Sequence, residues 1–515
     1  MKKKVLFISH TFERGGSVLL LKDVVQNLIG NNYDCHVWTP YEGELKKDFE
    51  QLDIPVYIKD FEVDRINRES SYEFDNAARK KIIKLLQKCK KNKEKLAIRC
   101  GGNITKKLLE EFDFSGIDLV GIFDNNPALK EIKGYKVYPI SEIKNFNINI
   151  ILIAHTHPEF LKKELKNSQS ADKIKIIHNI FTDSKIKKLQ KNILYFKNFL
   201  KVVCFFTKIN PDIIFINNAR NFWAAIAGKI IGKKIIWNIH ESFEPKTFKV
   251  FPQFLYFLSF KFADLFIFPS KATGELYKEF APKHKSKIIH CGVNIDRIEN
   301  FKLTDLQADT EKELNIPENH KIICNIGTVE ERKGQLYFAK AGINLLKSFS
   351  NITFVIVGSK NDEYSKKIES LIEESGFKNN FRIISIVENA YKYFNMADIY
   401  VCSSVVEAFP IVILEAMAFK KVIIATDIFG IPEAISHNET GILIPTDNIE
   451  QHIEKNIKYL IETPDLMLKL SENAHKKVIR NFTLEKTLNN YIQAFKILSG
   501  FVVHPPLTPT TREGN

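Results

Sequence analysis

Short apolar runs alternate with longer amphipathic stretches over most of this chain, and that alternation constrains its fold more than any other feature. Residues 5–9, 35–39, 213–217, 235–239 and 265–269 are nearly continuous hydrophobic runs in the first half. Residues 322–327, 354–358, 381–384, 399–403 and 422–426 repeat the pattern in the second. Strands that are apolar throughout, rather than at every other position, are covered on both faces. Separated by helical stretches, such strands build parallel sheets in doubly wound α/β domains. Two domains of this kind are expected, joined by the polar stretch at 300–320.

A third unit interrupts the first domain. A Lys-rich helix at 76–91, strands at 96–100, 119–123 and 150–154, and a Gly101-Gly102 turn form a small βαβ pattern of their own. The expected organisation is an N-terminal domain at 1–65 and 183–303, an insertion at 66–182 and a second domain at 304–481. A closing helix follows at 482–503, and then a disordered Pro- and Thr-containing tail at 504–515.

Composition removes several alternatives. With 44% hydrophobic and 26% charged residues in 515, the chain has ample apolar surface for cores, which excludes wholesale disorder. Seven cysteines, an odd number without a Cys-x-x-Cys pair, argue against a disulfide framework or thiolate zinc site and for a reducing cytosol. No run reaches the ~18 apolar residues of a spanning helix. The N-terminus has only four apolar residues after its lysines and reads as the start of a buried strand, not as a secretory leader. The formal charge of +14 fits an anionic lipid surface, nucleic acid or plain lysine-rich composition. The basic residues are scattered, so no nucleic-acid partner is expected.

The densest chemistry lies at 403–418. Glu407 and Glu415 follow a buried strand, with Phe409 and Pro410 between them and a helix expected from Ile411. A carboxylate in that loop reaches the carboxyl end of the sheet, where open α/β folds bind ligands. The free N–H groups at the helix start suit a phosphate. Glu415, about one and a half turns in, can turn back towards a sugar-like diol. Alone, the two glutamates would also fit a loop and a solvated helix face. Upstream, Gly327 ends a strand, and Arg332 and Lys333 stand before a helix that starts at Gly334. Two cations at a helix N-terminus meet the physical requirement for holding a diphosphate. In the first half, Gly15 and Gly16 let a ligand approach the backbone closely, and Ser17 is expected to cap the helix that follows. His240 ends a strand on the same ligand side.

In combination these residues resemble the retaining GT-B glycosyltransferases of family 4, over roughly residues 1–60 and 185–500. Gly15-Gly16, His240, Lys333-Gly334, the Glu407 to Glu415 spacing with Phe409-Pro410, and Gly430 to Glu433 followed by Gly441 carry the resemblance. It implies two Rossmann-like domains facing across a cleft, with the βαβ insertion in the first. It further implies a nucleotide-diphosphate sugar as substrate and no cofactor. Arg332, Lys333, Phe409, Pro410, Ile411, Glu415 and the backbone of Gly15 and Gly16 would hold this donor. Glu407 would contact the donor hexose, His240 would lie near it, and a glycan, lipid-linked or polymer acceptor would sit on the first domain. The family transfers with retained configuration and without a metal, and no Asp-x-Asp pair occurs here. One departure is Thr328, where many members carry Arg; Arg332 is the neighbouring candidate for that charge.

The insertion is similar to small Rossmann-like sugar-nucleotide or dinucleotide-sensing modules fused to bacterial polysaccharide enzymes. Its glycine motif is degraded, with Cys100 at the first position, Gly102 kept and Thr105 at the last, so a structural or protein-binding role is expected over cofactor binding. His155 and His157 are expected to be loop residues, not metal ligands. The aromatic, Lys-containing segment 246–261 fits an anionic membrane surface or the buried face of a helix, the second being favoured. The resulting expectation is a cytoplasmic glycosyltransferase, with the inner face of the cell membrane as a candidate peripheral site. A sugar-nucleotide epimerase and a non-catalytic scaffold are the alternatives.

Overall fold

The computed structural model describes residues 2–63, 76–99, 103–124, 130–154, 174–177, 185–247, 250, 252–304 and 307–499. The tail at 504–515, Cys100, Gly102, His155 and His157 lie outside the described residues. Two compact units are present, Met1–Val63 with Asn198–Asn515, and Asp64–Lys197. The second reaches past the expected boundary at 182, and the helix Lys185–Ile209 runs unbroken through the junction. Six described cysteines are free thiols. No helix among the described residues is long and apolar enough to cross a membrane.

The first unit contains two parallel sheets. One has seven strands in the order Ser286–Ile288, Leu265–Phe268, Lys234–Asn238, Ile213–Ile216, Lys3–Ile8, Tyr33–Thr39 and Val56–Ile58. The other has six, in the order Phe381–Ser385, Ile352–Ser359, Lys321–Ile326, Ile399–Cys402, Val422–Thr426 and Ile442–Ile444. Both are doubly wound. The strand order reverses beside Lys3–Ile8 in the first sheet and beside Lys321–Ile326 in the second, and such reversals open ligand crevices at the carboxyl ends. Val5, Leu6, Phe7 and Ile8 are all fully buried, which is why the central strands read as unbroken apolar runs.

One connection differs from expectation. The 300–320 stretch is not an extended linker: it contains parts of the helices Ile295–Thr304 and Gln307–Glu313. Asp296 and Asp309 in their first turns, and Lys302 and Lys312 in their last, match the helix dipole, so polar composition here suits exposed helices as well as a loop. The last helix, Leu484–Ser499, returns to the first sheet, where the Phe495 ring lies 5.7 Å from Phe215 and 5.9 Å from Tyr33. In the 246–261 segment the helix Gln253–Ser259 buries Tyr256, and Phe260 stacks on Trp237 at 4.7 Å, while Phe254 stays exposed.

The second unit has its own sheet, in the order Glu131–Ile132, Tyr135–Tyr138, Leu119–Phe123, Leu96–Arg99, Ile150–Ile153 and Lys175–Ile177. Only the first pair is antiparallel. Ile82 and Leu86 of the helix Asn76–Asn92 pack with Ile98, Leu108 and Leu152 in a separate core. Thr105 is buried, and Arg99 at the central strand end donates to the Phe123 carbonyl at 3.0 Å. A unit with its own core can be removed at modest cost, since loop closure changes by only about 0.6 kcal/mol per doubling of length. Replacing residues 66–180 with a short flexible linker is therefore expected to leave a folded first unit that still binds nucleotide. A soluble, natively folded deletion protein that binds no nucleotide by calorimetry would contradict this.

Candidate functional site

At the reversal of the second sheet, two chain segments lock together. The 3-10 turn Glu331–Lys333 ends at Gly334, whose left-handed φ of 68° starts the helix Gln335–Leu346. The Ser403 hydroxyl donates to the Lys333 carbonyl at 3.0 Å, and the Val405 N–H donates to the Arg332 carbonyl at 2.8 Å. Asn325, on the adjoining strand, donates to the Val401 carbonyl at 2.9 Å and to Ser403 Oγ at 3.1 Å. This docking brings Lys333 Nζ onto the Glu407 carboxylate as an ion pair. Their side chains are only 16% and 11% exposed, so the pair is largely withdrawn from solvent. Arg332 stands at the rim, 3.8 Å from Glu407 and 2.6 Å from Glu330.

Beside this corner lies a cavity of about 610 Å³, open to solvent between the two halves of the unit. Gly327, Thr328, Glu330 and Gly358 line it from the strand ends, Glu415 from the helix Ile411–Ala418, and Arg297 from the helix Ile295–Thr304. Arg14 and Leu19 close it from the first half. Burial pushes the Glu415 carboxyl up to about 7, while the Arg297 guanidinium pulls the other way.

The halves meet closely at two helix starts. A Cβ on Gly16 would come within 3.3 Å of Ile411 Cδ1, so the two helix starts approach closely here. Gly15 takes the N-cap position with an extended backbone, and Ser17 lies inside the helix Gly16–Gly30. The expected Ser17 cap is therefore absent: the helix begins two residues earlier, with Gly15 at the N-cap. Neither this helix nor Ile411–Ala418, which follows Pro410, has an acidic residue in its first turn or a side-chain cap among the described residues. Arg14 pairs with Glu388 across the cleft at 2.9 Å. Glu433 accepts the Lys271 and Ala272 N–H groups at 3.0 Å and His290 Nε2 at 2.8 Å, capping a helix of the opposite half. Burial raises its carboxyl, but these bonds outweigh it and hold the group below its ordinary value. Phe409 is buried against the His290 ring at 4.8 Å.

At the reversal of the first sheet, His10 and His240 follow the ends of the strands Lys3–Ile8 and Lys234–Asn238. Asn218 Nδ2 lies 2.6 Å from His10 Nδ1, and Asn238 Nδ2 lies 2.7 Å from His240 Nε2. Burial, with the nearby His10, pushes His240 down to about 4. Glu241 accepts the Ala219 N–H with both oxygens at 3.1 Å, and burial raises its carboxyl to about 7.

Comparison with known proteins fits this architecture. Residues 307–477 match the model of the glycosyl transferases group 1, and residues 147–297 match that of glycosyltransferase family 4; together they span more than half of the chain. The Anabaena protein Alr3699/HepE, solved in complex with UDP, shares the fold with a TM-score of 0.62 at 16% identity, covering 96% of this chain and 100% of that one. This chain belongs to the GT-B glycosyltransferases.

Among curated relatives, an uncharacterized glycosyltransferase of Haemophilus influenzae is 26% identical over 200 residues, 38% of this chain and 56% of its own length. The chain thus spans little over half of that relative. The N,N'-diacetylbacillosaminyl-diphospho-undecaprenol alpha-1,3-N-acetylgalactosaminyltransferase of Campylobacter jejuni is 29% identical over 269 residues, 50% of this chain and 68% of its own length.

Within this GT-B frame, Arg332, Lys333 and Glu407 come together as one cluster and Glu415 lines the cavity beside it. Gly16 and Ile411 face each other across the cleft. His240 belongs to the first sheet's polar group with His10. Sequence reasoning missed His10, Asn217, Asn218, Asn238, Glu241 and Arg297. Buried asparagines at the ends of otherwise apolar strands were the available signal for three of them.

Glu415 gives a pH prediction. On the reading that Glu415 holds a hydroxyl of the donor, its ionised carboxylate is the stronger acceptor, and burial pushes this carboxyl up to about 7. Nucleotide-sugar affinity is therefore expected to rise up to about tenfold between roughly pH 6 and 8. A sugar diphosphate ester has no phosphate ionisation there to confuse the reading. Glu415→Gln should lower the affinity and flatten the curve by calorimetry; a slope that survives the substitution would assign it to another group.

Proposed function

We propose that this chain transfers a hexose-type sugar from a nucleotide-diphosphate donor to a glycan, lipid-linked or cell-surface polymer acceptor, retaining configuration and using no metal. The observation that carries the reading is the cavity at the second sheet's reversal, with Glu415 in its wall and the Lys333–Glu407 corner beside it. Its size lies within the range of small-ligand sites. The departing diphosphate gains negative charge, and Lys333, Arg332 and the starts of the Gly16–Gly30 and Ile411–Ala418 helices supply positive charge and N–H donors. Glu407 holds the donor hexose, Phe409 and Pro410 set the loop that presents it, and His240 lies near the transferred sugar.

Retention without a covalent intermediate places the acceptor hydroxyl on the face that the diphosphate leaves. Its oxygen bonds to the anomeric carbon as the carbon–phosphate oxygen bond breaks. The name of the Campylobacter relative, which acts on a diphospho-undecaprenol-linked sugar, favours a lipid-linked acceptor and hence a position at the cytoplasmic membrane face.

A panel of UDP-, GDP- and ADP-sugars tested for thermal stabilisation identifies the donor. Proton NMR of the product formed on a polyprenyl-diphosphate sugar then reads the anomeric configuration. Transfer is expected to persist in EDTA; loss that magnesium or manganese restores would overturn metal independence, and an inverted product would overturn retention. Isomerisation of donor alone, without acceptor, would favour an epimerase.

A further inference from the structure

The first sheet's reversal contains a hydrogen-bond chain whose direction is fixed where it starts. It begins at the Ser17 carbonyl, which can only accept. Asn217 Nδ2 donates to it at 3.1 Å, so Asn217 presents its Oδ1 to the next residue. That oxygen accepts from Asn238 Nδ2 at 2.9 Å. Asn238 Oδ1, on the other side of the amide, accepts the Tyr491 hydroxyl at 3.2 Å. The remaining Asn238 Nδ2 hydrogen points at His240 Nε2, 2.7 Å away. Asn217, Asn238 and Tyr491 are each no more than 2% exposed, so reversing either amide would set oxygen against oxygen out of reach of water. Tyr491 comes from the final helix Leu484–Ser499, which returns to this sheet.

A proton on His240 Nε2 would meet an N–H donor. We propose that His240 acts as a permanently neutral hydrogen-bond donor through Nδ1, and that Asn238, oriented by Asn217 and Tyr491, is the positioning residue that holds it so. The surrounding charges agree. His10 is held by the same device: Asn218 Oδ1 accepts the Asn221 N–H at 2.9 Å, so Asn218 Nδ2 donates to His10 Nδ1. Glu241, next in the chain, turns its carboxylate to the Ala219 N–H. Arg220 acts on Glu241. Burial and His10 both disfavour a charge on His240.

The catalytic consequence rests on the transfer reading. The acceptor oxygen bonds to the anomeric carbon, the bond to the diphosphate breaks, and the hydroxyl proton passes to a diphosphate oxygen. No proton passes through the imidazole, which offers Nδ1–H to a sugar hydroxyl throughout.

The test uses the full chain with ¹⁵N-labelled histidine and long-range proton–nitrogen correlation spectra from roughly pH 5 to 8. His240→Gln assigns the signals. Native His240 is expected to show a protonated Nδ1, an unprotonated Nε2 and no titration over this range. In Asn238→Asp a carboxylate faces Nε2 and should move the titration midpoint up by about two pH units or more. Asn238→Ala, which buries no charge, should let the Nε2–H form appear. An Nε2–H tautomer in the native protein, or a native midpoint near the ordinary value of about 6.5, overturns the proposal. So does a tautomer unchanged in Asn238→Ala. The spectra require no turnover. If they come out as expected while no donor and acceptor pair reacts, the transfer reading fails and the positioning of His240 by Asn238 stands. If transfer occurs, its rate should lack a His240 limb in the native enzyme and gain one in Asn238→Asp.

Discussion

Lys333→Ala is expected to weaken nucleotide-sugar binding about 10- to 100-fold, the loss of one charge-assisted contact of roughly 1.5–3 kcal/mol. It should also destabilise the fold, because it leaves the Glu407 carboxylate at 11% exposure with the half-exposed Arg332 as its remaining ion-pair partner among the described residues. Breaking a fully buried pair costs about 3–5 kcal/mol, and the residual solvent access here brings the expectation to about 1–3. Glu407→Gln removes the opposite charge and keeps much of the side chain's shape. It should leave nucleotide affinity within a few-fold of native while turnover falls about 100-fold or more, since the proposed transfer has Glu407 hold the sugar where charge develops. Glu415→Gln should do the reverse, lowering affinity more than turnover.

The pairing also makes the two residues' effects non-additive. Lys333→Ala combined with Glu407→Gln removes the orphaned charge, so the double variant should be more stable than Lys333→Ala alone, although inactive in transfer. Urea denaturation of the four proteins measures this. If the double variant were destabilised by the sum of the single effects, the pair would carry no coupling energy. Unchanged nucleotide affinity in Lys333→Ala would remove that residue from the donor site.

That coupling was not legible in the sequence, although both residues were. Lys333 and Glu407 are 74 positions apart, and their contact depends on the Ser403 and Val405 bonds to the 332–333 backbone. The central strands were legible because burial on both faces requires unbroken apolar runs, and the expected 422–426 strand coincides with Val422–Thr426. The edge strands Val56–Ile58, Ser286–Ile288 and Ile442–Ile444 have three residues each, too short to leave a pattern. Ser17 is a cap candidate by residue type, but Gly15 takes the cap position and the helix starts at Gly16. Glu433 belongs to the motif that carries the resemblance, but the motif does not say what it touches. Its clamp on Lys271, Ala272 and His290 depends on the two halves meeting, which local sequence does not encode.

Gly334→Ala should be among the most damaging single-methyl changes in the second sheet. The position combines two requirements, as Gly358 also does at the neighbouring strand end. Its φ of 68° is left-handed, where a side chain costs about 1–2 kcal/mol. Its Cβ would also stand 2.0 Å from the Ser403 carbonyl oxygen, a backbone atom that no rotamer change can move. Relief requires the 331–334 turn and the 403–405 loop to separate, which breaks the Ser403 and Val405 bonds at about 0.5–1.5 kcal/mol each. The expected loss is about 3–5 kcal/mol. Gly376 provides the control: its φ is 80°, with nothing within 4 Å of a built Cβ, so Gly376→Ala should cost only the left-handed penalty of about 1 kcal/mol. Denaturant midpoints of both variants separate the steric from the conformational contribution. Donor binding should fall in Gly334→Ala and stay native in Gly376→Ala, because only the first holds Lys333 in place. Equal losses of stability would mean that the turn and loop do not lie in contact, and the Lys333–Glu407 corner would lose its structural basis.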